Sequence, residues 1–464
     1  MKHYDLIVIG SGGGAKLIGP CARLGLKVAA IEKQALGGTC LNRGCIPSKM
    51  LIHPADLAME IKGSGKFGLQ MPGRLRVDFA ALINRISQTV DGDSEKIAAG
   101  YAKNPNIDFY PFEARFLSDR VIEVHGEKMT ADKIFIAVGA RPFVPPIPGL
   151  KGTPFMTSTE ALRNGNLPQK MIVLGGGFIA VELGHAYGAL GTEVHFLVRR
   201  RLLSREDRQI SDEFQRVFSQ FHQVHLGVIP TRMEYDGEEF HVFFQDQHKK
   251  EHRLCADALL VANSIVPNTD ALGLENTSIA LNSDGFVLVN DFLETTAPDV
   301  YALGDCIGRY FYRHTVNYEG EYLFRTLFKE EIRKPLVYPP IPHAVFTHPQ
   351  IASVGKTEDE LKMDGVDYMV GLNPYQKSAM GMALLSDSGF VKLLFERSTR
   401  ILLGAHIIGD EASNMIHMLI AFMYKKATLD DLLGMVYVHP ALPEIVRNAA
   451  RNAQAEFERA GKRD

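Results

Sequence analysis

A run of buried-strand residues ending in a glycine-rich turn occurs twice in this chain, and that repeat constrains the fold more than any other feature. Leu6-Ile7-Val8-Ile9 leads into Gly10-Ser11-Gly12-Gly13-Gly14-Ala15, a GxGxxA pattern that ends a strand and opens a helical stretch from Ala15 to Leu24. A second strand, Lys27 to Ile31, ends in Glu32. Glycines so placed let the backbone approach a pyrophosphate at a helix N-terminus, and an acid at the end of the second strand binds a ribose hydroxyl. Gly10, Gly12, Ala15 and Glu32 are therefore candidate cofactor contacts. Met171-Ile172-Val173-Leu174 repeats the pattern with Gly175-Gly176-Gly177-Phe178-Ile179-Ala180, a helix through Glu182 and Tyr187, and a strand from Glu193 to Val198. Gly175 and Gly177 are the equivalent contacts. The repeat implies an α/β fold with two Rossmann-like dinucleotide-binding domains, one for a flavin and one for a nicotinamide.

Aligned on Leu24-Gly25 and Leu190-Gly191, the two units place Glu32 and Val198 at the same position. The second unit thus lacks the acid for a free 2′-hydroxyl, and Arg199, Arg200 and Arg201 follow, with Arg205 just beyond. Guanidinium groups form paired bonds to phosphate, so Arg199 and Arg205 are candidate contacts to a 2′-phosphate, and NADP(H) is favoured over NAD(H). A solvated basic turn is the alternative.

Two of the five cysteines, Cys40 and Cys45, are separated by four residues between Gly37-Gly38 and Pro47. Half of a zinc site is one reading, but no CxxC pair exists to complete it, and no metal is expected. Two core thiols adjacent by chance is another. The flanks favour a redox dithiol: the glycines allow a tight backbone and Pro47 suits the first turn of a helix through Lys49, whose positive end enriches thiolate. The scattered Cys21, Cys255 and Cys306 read as buried structural thiols.

The stretch Gly37-Gly38-Thr39-Cys40-Leu41-Asn42-Arg43-Gly44-Cys45-Ile46-Pro47-Ser48-Lys49 resembles the class I pyridine nucleotide-disulfide oxidoreductases, the family of dihydrolipoamide dehydrogenase, glutathione reductase and mycothione reductase. The resemblance runs from Leu6 to about Asn448. It implies FAD, Cys40 as the interchange thiol, Cys45 as the charge-transfer thiol with Thr39 beside the pair, Lys49 near flavin N5 and Glu182 near the nicotinamide. By the same resemblance Gly139, in Ala137 to Pro142, lies on the return past the FAD. Asp305, in Val300 to Asp305, contacts the ribityl chain, and Ala114 lies on the adenine side. His439-Pro440-Ala441-Leu442-Pro443-Glu444 resembles the HPxxxE motif, in which the histidine serves the thiols of the other subunit and the glutamate orients it. A histidine suits that task because its pKa lies near neutrality. A homodimer with composite active sites follows.

The expected domains are 1–145 (FAD, first part), 146–276 (NAD(P)), 277–340 (FAD, return segment) and 341–464 (α+β interface domain), with Pro142 to Pro148 as the linker. The stretch from His343 to Lys356 resembles the interface strand, and Met415, Met418 and Met423 read as core positions of one helix. With 464 residues, 46% of them hydrophobic, and a net charge of −3, nothing favours nucleic-acid or membrane partners. A dithiol behind no signal peptide fits the cytoplasm. The partner is a small-molecule or lipoyl-domain disulfide. The cysteine motif and Thr347-His348-Pro349 are most like dihydrolipoamide dehydrogenase, the HPALPE run is closer to mycothione reductase, and Gly19-Pro20 disfavours glutathione. Ser264-Ile265 depart from the family's usual Gly-Arg. No cysteine follows Cys306, which disfavours a mercuric-reductase-like activity. A redox-sensing flavoprotein without turnover is the alternative of another class.

Overall fold

A computed structural model describes residues 1–460; positions 461–464, the end of the expected interface domain, lie outside the described residues. Strand Lys2–Ile9 is central to the first sheet because its apolar run is buried on both faces, as parallel strands covered by helices require. Val28–Ile31 and Glu127–Ile136 flank it in parallel, and Ile107–Tyr110 extends one side. Antiparallel strands Val121–Val124 and Ala114–Ser118 continue the other side. Val300–Ala302 also pairs in parallel with Glu127–Ile136. The chain therefore leaves this sheet after Ile136 and rejoins it at Val300, with the second unit inserted between.

That second unit has a parallel sheet in the order Gln223–Leu226, Glu193–Val198, Lys170–Leu174, Ala258–Val261. An antiparallel meander, Ile229–Tyr235, Phe240–Gln245 and Glu251–Ala256, lies beyond it. Ala140–Pro142 pairs with Ile265–Pro267, so entry into and exit from the insertion run side by side.

The C-terminal domain is a five-stranded antiparallel sheet with helices Ala412–Tyr424 and Glu444–Ala460 packed on it. Met415 and Met423 are buried in its core and Met418 packs against it, as their helical spacing predicts. The expected interface strand is instead two, His343–Val345 and Ile351–Gly355, paired antiparallel around Thr347-His348-Pro349. The α/β architecture with two nucleotide-binding units and a C-terminal α+β domain is as the sequence predicts.

Two contacts between units matter for the site. Helix Cys45–Gly63 packs along helix Phe178–Leu190, and Leu51, Ile52 and Ala55 share one core with Val181 and Leu183. The fully buried Lys392 of the C-terminal sheet holds both oxygens of Asp207 at 2.9 Å, fastening that sheet to the second unit.

Candidate functional site

Both glycine turns are built alike. Gly10 has φ 102° and a Cβ there would stand 2.2 Å from Ala137 O; Gly175 has φ 124° and its Cβ would stand 2.4 Å from Ala262 O. No other residue lets the first strand's end pass so close to its neighbour. Helix Ala15–Arg23 starts after Gly14 and helix Phe178–Leu190 after Gly177, neither with a side-chain cap. In Phe178–Leu190 the first three N–H groups are left for an anion; in the first helix Ala15 N is, while Lys16 N and Leu17 N close onto Gly13 O and Gly14 O. Ala15 is the first residue of its helix, and a Cβ on Gly177 would meet nothing within 4 Å.

A cleft of about 310 Å³ runs from Gly10, Gly12 and Glu32 at one end past Ala114, Gly139 and Asp305. Its other end is lined by Thr39, Cys40, Cys45, Lys49 and Glu182. Glu32 is fixed in place: Ser11 donates to Oε2 from its backbone N at 3.0 Å and its Oγ at 2.9 Å, and Gln34 N donates to Oε1 at 3.0 Å. The same Ser11 Oγ accepts from Gly37 N at 3.0 Å, which ties the cysteine loop to the first glycine turn. Burial pushes the Asp305 carboxyl up to about 6, against the pull of Arg313.

The cysteines do not share one helix N-terminus. Cys40 lies inside a short helix, Gly38–Arg43, and Cys45 opens the next, Cys45–Gly63. The break falls at Gly44, where a Cβ would stand 2.9 Å from Thr39 O. Both thiols are free, and both line the cleft. The neighbouring Cys45 and burial push Cys40 up. Cys45 is lowered to about 7, first by the neighbouring Cys40 and then, against burial, by the cations Lys49 and Arg313. Of the two, Cys45 is the more acidic.

Lys49 reaches out of the Cys45 helix to Glu182 of the packed helix, Nζ to Oε2 at 2.7 Å. Phe346 N donates to Glu182 Oε1 at 3.0 Å, and the Phe346 ring lies 4.3 Å from Lys49 Nζ. Burial pushes the Glu182 carboxyl up, and Lys49 counters it. One ion pair therefore spans the two units at the point where the dithiol meets the second nucleotide helix.

Arg313 is the residue the motifs miss. It opens helix Arg313–Phe328, lines the cleft, and its Nη1 lies 4.0 Å from where a Cβ on Gly12 would stand. Among the described residues it has no ion pair or hydrogen bond. Nothing in its sequence spacing links it to the cysteines; packing of its helix on Ala15–Arg23 brings it there. The local signal is a cation at a helix start, where the dipole disfavours it. Replacing Arg313 with methionine is expected to raise the pKa of the Cys45 thiolate above about 7, because a stabilising cation is lost; pH titration of thiolate absorbance at 240 nm, roughly the thiolate maximum, checks it. An unchanged titration removes Arg313 from the thiolate's environment.

The remaining candidates lie outside the cleft. Arg199, Arg200 and Arg205 are exposed just past Val198, which ends its strand, while Arg201 Nη2 donates to Ser204 O at 3.1 Å. His439 precedes helix Glu444–Ala460, its side chain 70% exposed. Glu444, by contrast, is buried and accepts from His439 Nδ1 at 3.0 Å, Ala441 N at 3.2 Å and Arg447 Nη2 at 2.7 Å. Burial pushes the Glu444 carboxyl up, but these donors outweigh it and hold it below its usual range. His439 Nδ1 is thereby committed, and Nε2 is left free. Cys255 is half-buried beside His241, not a buried core thiol like Cys21 and Cys306. No helix among the described residues is long and apolar enough to cross a membrane.

Comparison with known proteins gives consistent matches. A family model described as pyridine nucleotide-disulphide oxidoreductase matches residues 4–320, and the dimerisation domain of the same family matches residues 341–450. The chain is 35% identical to a mycothione reductase of Mycobacterium tuberculosis, covering 97% of this chain and 99% of that one. It is 33% identical to a dihydrolipoyl dehydrogenase of Thermus scotoductus, covering 97% of each. Among solved structures, the Cu(II) complex of the HOCl-induced flavoprotein disulfide reductase RclA from Escherichia coli superposes with a TM-score of 0.86 at 29% identity, covering 97% of this chain and 99% of that one.

Proposed function

The chain belongs to the pyridine nucleotide-disulphide oxidoreductase family, whose use of FAD and a pyridine nucleotide it shares and whose dimerisation domain supports a homodimer; from that premise we propose that it is an NADPH-driven reductase of a low-molecular-weight disulfide. The observation that carries this reading is that the free Cys40 and Cys45 thiols, Cys45 the more acidic at about 7, line the cleft together with the Lys49–Glu182 ion pair that joins the two units. The cleft's lining suits a dinucleotide: Ala15 N and Arg313 would meet a pyrophosphate, Glu32 a ribose, and Asp305 a polyol chain. A flavin bound there would supply the two electrons that reduce the Cys40–Cys45 disulfide, drawn from a nicotinamide nucleotide that Gly175 and Gly177 would hold.

The chain's own residues do the rest. Cys40 gives its proton to His439 of the partner subunit and attacks the substrate disulfide, forming a mixed disulfide while the first substrate thiolate leaves and takes that proton. The Cys45 thiolate then attacks the Cys40 sulfur, re-forming the Cys40–Cys45 disulfide and releasing the second substrate thiolate, which takes a proton from solvent. Two electrons pass from the dithiol to the substrate, and two thiols result.

NADPH rather than NADH is favoured by the exposed Arg199, Arg200 and Arg205 beside Val198. The Arg199→Ala/Arg200→Ala variant is expected to raise KM for NADPH tenfold or more, about 1.4 kcal/mol, with KM for NADH unchanged; wild-type preference for NADH by tenfold sinks this assignment. A second reading, a dihydrolipoyl dehydrogenase, is supported by the run from Gly37 to Lys49 and the Thermus scotoductus relative. Steady-state rates with lipoamide, mycothiol and glutathione disulfides and both nucleotides separate the two. No turnover with any disulfide favours a redox sensor instead.

A further inference from the structure

The antiparallel meander of the second unit takes no part in the dithiol chemistry, yet it gathers metal-ligating side chains. His241 and Cys255 are direct partners across neighbouring strands, so both side chains lie on one face. His241 Nδ1 and Cys255 Sγ are 3.1 Å apart, and with a Glu239 oxygen the three donor atoms all lie within 4.8 Å of one another. Asp236 Oδ2 holds the other ring nitrogen, Nε2, at 2.8 Å. A carboxylate on one imidazole nitrogen fixes the tautomer and aims the other at a metal. Asp236 is itself anchored, accepting from Glu238 N and Glu239 N at 2.9 Å, so the turn that orients the imidazole also presents Glu239.

We infer that Glu239, His241 and Cys255 bind a thiophilic divalent cation, zinc foremost, with a fourth position for water. Tetrahedral zinc bonds of about 2.0 Å to nitrogen and about 2.3 Å to sulfur hold those atoms roughly 3.5 Å apart, so the pair has little to open. Binding replaces the thiol proton with the metal and releases it to solvent, with no change of oxidation state. The exposed Arg253 is the built-in competitor: its Nη2 lies 2.8 Å from His241 Nδ1, on the coordinating face, and must swing outward. Glu234, opposite His241 on the third strand, is paired with Arg232. The cation therefore meets Asp236, Glu239 and Glu234 against Arg232 and Arg253.

The test uses Co²⁺ as a spectroscopic probe on FAD-loaded enzyme in a Cys40→Ser/Cys45→Ser background, which removes the other thiol pair. One equivalent is expected to bind with thiolate-to-cobalt absorption that Zn²⁺ displaces. Cys255→Ser should abolish that absorption and Arg253→Ala should tighten binding. Asp236→Asn should weaken it about 10- to 100-fold. Retained flavin absorbance in each variant shows that it has folded, and His241→Gln provides a second loss. Cobalt absorption that survives in Cys255→Ser, or binding that needs millimolar metal in the parent, overturns the assignment.

Discussion

Cys45→Ser is expected to lower NADPH-dependent disulfide reduction by about a thousandfold or more, because the group that resolves the mixed disulfide is gone. Cys40→Ser should be as inactive, so turnover alone does not tell the thiols apart. Absorbance does. Cys45 is the member lowered to about 7, by the neighbouring Cys40 and by Lys49 and Arg313. Cys40→Ser keeps a hydroxyl beside that thiolate, and should show long-wavelength thiolate–flavin absorbance that grows as pH rises through the Cys45 pKa, since only the deprotonated form contributes. Cys45→Ser should show none at any pH. If Cys45→Ser develops the band and Cys40→Ser lacks it, the roles are reversed.

What was legible in the sequence was local. The turn Gly10 to Gly14, its distance to Glu32 and the repeat at Gly175 are set within one strand–helix–strand unit, where spacing alone fixes geometry. The two cysteines were legible as a pair, but not the break between their helices, which depends on Gly44 packing against Thr39 O. The stretch from His343 to Lys356 is expected as one strand only through its resemblance to the family, whereas the chain reverses at Thr347-His348-Pro349. Cys255 looks like a core thiol until the register of Phe240–Gln245 with Glu251–Ala256 sets it against His241. Arg313 is the extreme case. Its place among Gly12, Asp305 and the cysteines comes from helix packing between distant parts of the chain.

His439→Ala is expected to slow reoxidation of the dithiol by substrate about 10²- to 10⁴-fold, the range for a positioned general acid–base group. The need for that group follows from the thiols themselves. With Cys45 the more acidic, Cys40 keeps its proton, so the attacking sulfur requires a base. His439 is prepared for it: Glu444 holds Nδ1 at 3.0 Å, and Nε2 is free on a side chain that is 70% exposed. It does not line the cleft of its own chain, which supports the proposal that it completes the partner's site in a homodimer. Reduction of the dithiol by NADPH should be nearly unaffected, which separates loss of the base from general damage. Subunit mixing tests the arrangement directly. In a doubly tagged heterodimer of Cys45→Ser and His439→Ala, shared sites concentrate both lesions in one active site and leave the other intact, so about half of wild-type activity returns. If each subunit used its own histidine, both sites would carry a lesion and the heterodimer would stay as inactive as its parents.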